Sequence, residues 1–185
     1  RVSVVDLSRA DRDDGVDETS DVLACRRVGV RSRATLGLYG KEAMSLRMGT
    51  ELPSLEGATE WVNLDGGPER LSLEGRPVFV HFWSISCNIC KEKMPTILRL
   101  RDDYAPHGLQ VVSIHMPRQE SDLQVEEAKR LAAELGITEP LAIDNAHTIT
   151  DAFENRFVPS YFLFDADHKM KGRAAGENGP KMIKT

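Results

Sequence analysis

Phe82-Trp83-Ser84-Ile85-Ser86-Cys87-Asn88-Ile89-Cys90-Lys91 sets two cysteines one helical turn apart, directly after a run of strand-forming residues. Pro77 to Trp83 is β-branched, aromatic and nearly all apolar, which predicts a central strand covered on both faces. From Cys87 to about Tyr104 the pattern predicts a helix. Ile97, Leu98 and Leu100 form its apolar stripe, and Pro95 lies inside it, where a kink is expected. Cys87 then stands at the positive end of the helix dipole, which favours its thiolate, the nucleophilic form of the residue. Two thiols so placed can close into a disulfide and reopen, so this stretch bears on fold and chemistry together.

Strands and helices alternate downstream. Residues 109–116 read as a strand ended by Pro117. Val125, Ala128, Leu131, Ala132 and Leu135 share one face of a helix capped by Gly136. Residues 141–144 form a short strand and residues 148–153 a short helix. Ser160 to Asp165 forms a strand that turns through Asp165-Ala166-Asp167-His168 into a last one, residues 169–175. Upstream, Leu52-Pro53-Ser54-Leu55 and Glu60-Trp61-Val62-Asn63-Leu64 suggest a short edge strand or hairpin arm, followed by a turn at Gly66-Gly67-Pro68. The expected class is α/β, a mixed central sheet flanked by helices. Gly179-Pro180-Lys181-Met182-Ile183 opens another helix just before Thr185, so the domain over residues 48–185 is expected to lack its last helix.

The chain has 185 residues and a net charge of -5, which disfavours nucleic acid as a partner. No apolar run is long enough to span a bilayer, so no membrane partner is expected. Three cysteines, two of them the close pair and Cys25 alone, do not make a disulfide-stapled scaffold. They fit a reducing compartment, and a cytoplasmic monomer is the expectation. Residues 1–47 are charged without apolar periodicity, as in Asp11-Arg12-Asp13-Asp14-Gly15-Val16-Asp17-Glu18. They are expected to be a disordered extension or a non-native upstream segment, with Met44 or Met48 as the true start.

The strand–Trp83–Cys87-Asn88-Ile89-Cys90–helix unit, Pro95 five residues on, and Val158-Pro159 before a later strand together resemble the thioredoxin fold. The additional helix and strand between Ser121 and Asp144 resemble the insertion of the TlpA/ResA branch of thiol–disulfide oxidoreductases. The runs His81-Phe82-Trp83-Ser84-Ile85-Ser86-Cys87, His115-Met116-Pro117-Arg118 and Thr150-Asp151-Ala152-Phe153-Glu154-Asn155 are similar to the small YkuV-type members of that branch. The resemblance spans about Leu52 to the C-terminus. It implies Cys87 as the attacking cysteine, Cys90 as the resolving one, and Pro159 as a cis-proline facing the pair. It also implies that the Val158 backbone touches the substrate chain and that Trp83 forms a wall of the site. His81 stands where thioredoxin carries a buried aspartate, and Lys93 where ResA-type proteins carry a glutamate.

The implied activity is exchange of the Cys87/Cys90 dithiol with protein disulfides through a mixed disulfide. No cofactor is required, because the dithiol carries the electrons. Partners are disulfide-containing proteins and a thioredoxin-type or other thiol electron donor. His81 is the candidate proton acceptor for Cys90, since a neutral imidazole can take a proton near pH 7; a hydrogen-bonded core histidine is the plainer alternative. His115 is expected to be a partly exposed strand-end residue, and Lys91 and Lys93 solvated helix residues. Two other chemistries stay open. A thiol peroxidase would use Ser84 as the hydroxyl ahead of its cysteine, although Val80 stands where peroxiredoxins have proline. A copper or zinc protein would use Cys87, Cys90 and His81 or His115.

Overall fold

The structure is a computed structural model that describes residues 46–179. Its elements run β1 (Glu60–Val62), β2 (Val78–Trp83), α1 (Asn88–Tyr104), β3 (Gln110–His115), α2 (Val125–Leu135), β4 (Leu141–Ile143), α3 (Thr148–Ala152), β5 (Ser160–Phe164) and β6 (Met170–Ala175). The six strands lie in the order β1-β4-β3-β2-β5-β6. The β2-β3 and β3-β4 pairs are parallel, and β1-β4, β2-β5 and β5-β6 are antiparallel. This is the mixed sheet expected, with α2 and β4 as the inserted pair.

Every residue of β2 is buried, yet the strand still sorts its side chains by alternation. Val78, Val80 and Phe82 enter one apolar cluster with Val112, Ile114, Ile149, Phe153, Phe162 and Phe164. Phe79 and Trp83 enter another with Cys87, Cys90, Met94, Ile97, Ala132 and Tyr161. His81 lies between Phe79 and Trp83 on that second face. Helix α1 buries Cys90, Met94 and Ile97, spaced by one and two turns, so the cysteine pair begins its core stripe. The helix continues through Pro95, which faces outward.

Residues 52–55 form no strand. Just before them Glu51 forms an isolated bridge to Lys169, the Leu52 amide donates to the His168 carbonyl, and Pro53 has no N–H to extend the pairing. Leu46 already packs against the first cluster, two residues before the expected domain start. The expectations for residues 1–45, Cys25 included, and for a helix over residues 180–185 lie outside the described residues.

Candidate active site

Cys87 and Cys90 form a disulfide with Cα atoms 5.3 Å apart. Cys87 is the N-cap of α1. Its backbone is extended, and its Sγ accepts a hydrogen bond from the Cys90 amide at 3.1 Å. A sulfur in that place does the work that a Ser or Asp oxygen does at an ordinary N-cap. On reduction the same amide and the helix dipole stabilise negative charge on Cys87. The first turn of α1 has no acidic residue to offset this. Between the cysteines, Asn88 and Ile89 face outward.

The Val158–Pro159 peptide bond is cis. Strand β5 runs antiparallel to β2 with Ser160 opposite Phe82, so Pro159 sits at the end of β2 from which the chain enters the cysteine pair. Val158 is half-buried and touches both clusters, whereas Phe157 before it is 70% exposed.

Trp83 is only 1% exposed. Its indole N–H donates to Ser113 Oγ at 3.0 Å, and its ring meets His115 edge-on at 5.1 Å. It lies beneath the loop rather than on its outer surface. His115, expected at a partly exposed strand end, is fully buried. The chain continues past it as Met116, whose amide bonds back to the Trp83 carbonyl and closes that end of the sheet over the ring. Burial pushes the His115 pKa down to about 4, despite Asp122 and Asp144 nearby, so the ring is neutral near pH 7. Its Nε2 lies 3.4 Å from the Ile85 amide.

His81 is also buried, but it has a carboxylate partner. Its Nε2 lies 3.0 Å from Glu139 Oε1, and Glu139 Oε2 accepts from Arg101 at 2.7 Å. Burial alone would raise the Glu139 carboxyl. Its bonds to His81, to its own backbone and to Arg101 outweigh that and hold its pKa at about 2. Lys93 reaches an exposed ion pair with Glu177 at 3.3 Å.

A second buried carboxylate braces the loop ahead of Cys87. Asp122 Oδ2 accepts from Ser84 Oγ at 2.6 Å, from Ser86 Oγ at 2.7 Å and from the Arg118 amide at 3.0 Å. Neither Glu139 nor Asp122 stood out in the sequence. Each is one acid among many in a polar stretch, and only the fold brings it to its donors. The Ser84 hydroxyl that a peroxidase would use is thus committed to Asp122. Among the described residues, no group of three or more His, Cys, Asp and Glu side chains is placed to hold a metal ion.

A helix-capping cysteine, a second cysteine one turn on, and a cis-proline at the neighbouring strand end define a thioredoxin-like thiol–disulfide exchange site. Residues 48–173 match the AhpC/TSA family, and the chain belongs to that family. Over 108 residues it is 47% identical to the thiol-disulfide oxidoreductase YkuV of Bacillus subtilis, a match covering 58% of this chain and 72% of that protein. It is 28% identical over 106 residues to the thiol-disulfide oxidoreductase ResA of Bacillus thuringiensis, covering 57% of this chain and 58% of ResA. The solution structure of a thioredoxin-like protein in its oxidized form superposes with a TM-score of 0.66 at 43% identity, covering 75% of this chain and 92% of that one. The chemistry of the chain is thiol–disulfide exchange at Cys87 and Cys90, with disulfide-bearing proteins as the substrate class.

Proposed function

We propose that this chain acts as a reductase of protein disulfides in the cytoplasm, needing no cofactor and drawing electrons from a thioredoxin-type or other thiol donor. Cys87 attacks the target disulfide as a thiolate, and one target sulfur leaves. Cys90 then attacks Cys87 Sγ, the second target sulfur leaves, and the enzyme is left oxidised. His81 takes the Cys90 proton, and the target chain lies along Val158 and Pro159 above the buried Trp83. The observation that carries the order of attack is the Cys90 amide bond to Cys87 Sγ, which stabilises charge on the first sulfur and not the second.

The test is covalent trapping with a peptide disulfide. Cys90→Ser should accumulate a peptide adduct on Cys87 detectable by mass, while Cys87→Ser should form none and lose turnover. Turnover by Cys87→Ser, or an adduct on Cys90 in the parent, would reverse the roles. The direction of flow is read from the reduction potential, followed by Trp83 fluorescence in a thiol redox buffer. A value near thioredoxin's, about −270 mV, supports the reductase reading, and one near about −120 mV makes the protein an oxidant.

A further inference from the structure

The Arg101–Glu139–His81 arrangement asks for an explanation that packing does not supply. Glutamate is almost never fully buried unless paired, and a buried ion pair does not by itself add to stability. Glu139 is 6% exposed and meets His81, which lies between Phe79 and Trp83 on its face of β2. An ionised carboxylate only accepts hydrogen bonds, so the contact of Glu139 Oε1 with His81 Nε2 puts the ring proton on Nε2. In the neutral ring the lone pair is then on Nδ1. Glu139 Oε2 is held by Arg101 Nη1 at 2.7 Å and by the Thr138 amide at 3.1 Å. Arg101 Nη1 also donates to the Gly136 carbonyl and to Thr138 Oγ1, and its Nη2 pairs with Asp102 at 2.8 Å. Both sides of the carboxylate are fixed.

We propose that Glu139, anchored by Arg101, is a positioning residue for the resolving step: it locks His81 as the Nε2–H tautomer, so that Nδ1 is the base that takes the Cys90 proton. This rests on the reading of His81 as proton acceptor and adds what makes it one. In the mixed disulfide, the Cys90 thiol gives its proton to Nδ1. The Cys90 thiolate attacks Cys87 Sγ, the Cys87–Cys90 bond forms, and the bond from Cys87 to the target sulfur breaks. The electron pair leaves with the target sulfur, which takes the proton and returns the ring to neutral. Enzyme dithiol is oxidised to disulfide, and target disulfide is reduced to two thiols. Glu139 keeps its charge throughout and offsets the imidazolium while it exists, a division of labour between carboxylate and imidazole that recurs in serine hydrolases.

The charged and titratable groups around His81 come from several elements. Glu139 precedes β4, Arg101 and Asp102 belong to α1, Tyr161 of β5 stacks on Phe79 beside the ring, and the Cys87–Cys90 pair shares a cluster with Phe79 and Trp83, the residues before and after His81 on its face of β2. Burial raises the Tyr161 pKa, leaving it neutral near pH 7.

The test uses the reduced full chain and a chromogenic aromatic disulfide, each half of which absorbs when released. Attack by Cys87 releases the first half and resolution by Cys90 the second, so rapid mixing times the two steps separately. Glu139→Gln should slow the second release about 10- to 100-fold and shift its pH profile, with the first release little changed. Arg101→Gln, at the rim and less disruptive to folding, should give a smaller shift of the same kind. In a His81→Asn background, Glu139→Gln should change nothing further. Unaltered second-phase rates and profiles in both Glu139→Gln and Arg101→Gln would overturn the proposal, as would equal slowing of both phases with unshifted profiles. If Glu139→Gln does not fold, Arg101→Gln decides alone. If His81→Asn itself leaves the second phase untouched, the reading of His81 as acceptor fails instead, and the two failures are told apart.

Discussion

Two histidines of neighbouring strands are buried, His81 of β2 and His115 of β3, and their partners give them different capacities. His115 has no hydrogen-bonded carboxylate, and burial drives its pKa down to about 4, too weak a base to compete for a thiol proton near neutrality. His81 touches Glu139 at 3.0 Å. Asp122 governs a different step by fixing the Ser84–Ser86 loop that delivers Cys87 to the helix start. Three donors converge on its one oxygen, Oδ2. Asp122→Ala should therefore cost about 1–3 kcal/mol in urea unfolding, because buried hydroxyls are left without an acceptor. Asp122→Asn keeps an acceptor and should lose less. Equal losses in the two variants would show that charge, not hydrogen bonding, is what the loop needs. The Cys87–Cys90 pair was legible in the sequence because its meaning lies in a spacing of three residues, and Pro159 was legible only through the resemblance to the thioredoxin fold. Glu139 meets His81 from 58 residues away and Asp122 meets Ser84 from 38, so no local pattern carried either.

At the scale of elements, periodicity served well where an element had one solvent face. Helix α2 is an instance: its buried Ala128 and Ala132 and its left-handed Gly136 cap were both legible. There the Gly136 amide bonds to the Ala133 carbonyl and the Ile137 amide to that of Ala132, the paired closure that favours glycine. The segment over residues 52–55 misled because apolar residues beside a proline can follow the sheet without joining it. Past that segment the chain bends at Gly57, with φ +91, against the start of α3. A Cβ there would fall 2.5 Å from Thr148 Cγ2, whereas a Cβ on Gly136 would meet only the end of the flexible Leu98 side chain, at 3.2 Å. Both sites pay the left-handed backbone penalty of about 1–2 kcal/mol, but only Gly57 adds overpacking of about 1–3 kcal/mol against a short helix. Gly57→Ala should thus lower the unfolding free energy more than Gly136→Ala does. The reverse order in denaturant titrations would mean that the arm before β1 is not seated on α3 in solution.

The sheet as a whole divides the described residues into an apolar cluster built on Phe82, Phe153, Phe162 and Phe164 on one side and the cluster of the cysteine pair on the other, with ionisable side chains buried beside both. That division gives stability a pH dependence that no single element sets. Burial holds His115 at about 4 against an ordinary 6.5, with Asp122, Asp144 and the Trp83 ring as its neighbours. Between those values the unfolded chain binds a proton that the folded chain refuses, so acid favours unfolding. The stabilisation is fully present above pH 6.5 and is lost as the pH falls toward 4, about 3 kcal/mol for the one site. Glu139 acts in a lower window. Its carboxyl is at about 2 in the fold against an ordinary 4.5, so its contribution is present above pH 4.5 and is lost as the pH falls through 2. Asp122 is likewise depressed: burial opposes it, but Ser84, the Arg118 amide, Ser86 and His115 prevail. Acid unfolding should therefore begin with a histidine limb and continue with a carboxylate limb. Urea titrations at intervals from pH 7 down to about pH 2 separate the two. His115→Gln, whose amide oxygen can still accept from Ile85, should flatten the upper limb and leave the lower one. An unchanged slope between pH 6.5 and pH 5 in that variant would mean that the ring is protonated inside the folded protein. A charged His115 would then rival His81 as the acid–base group of the site.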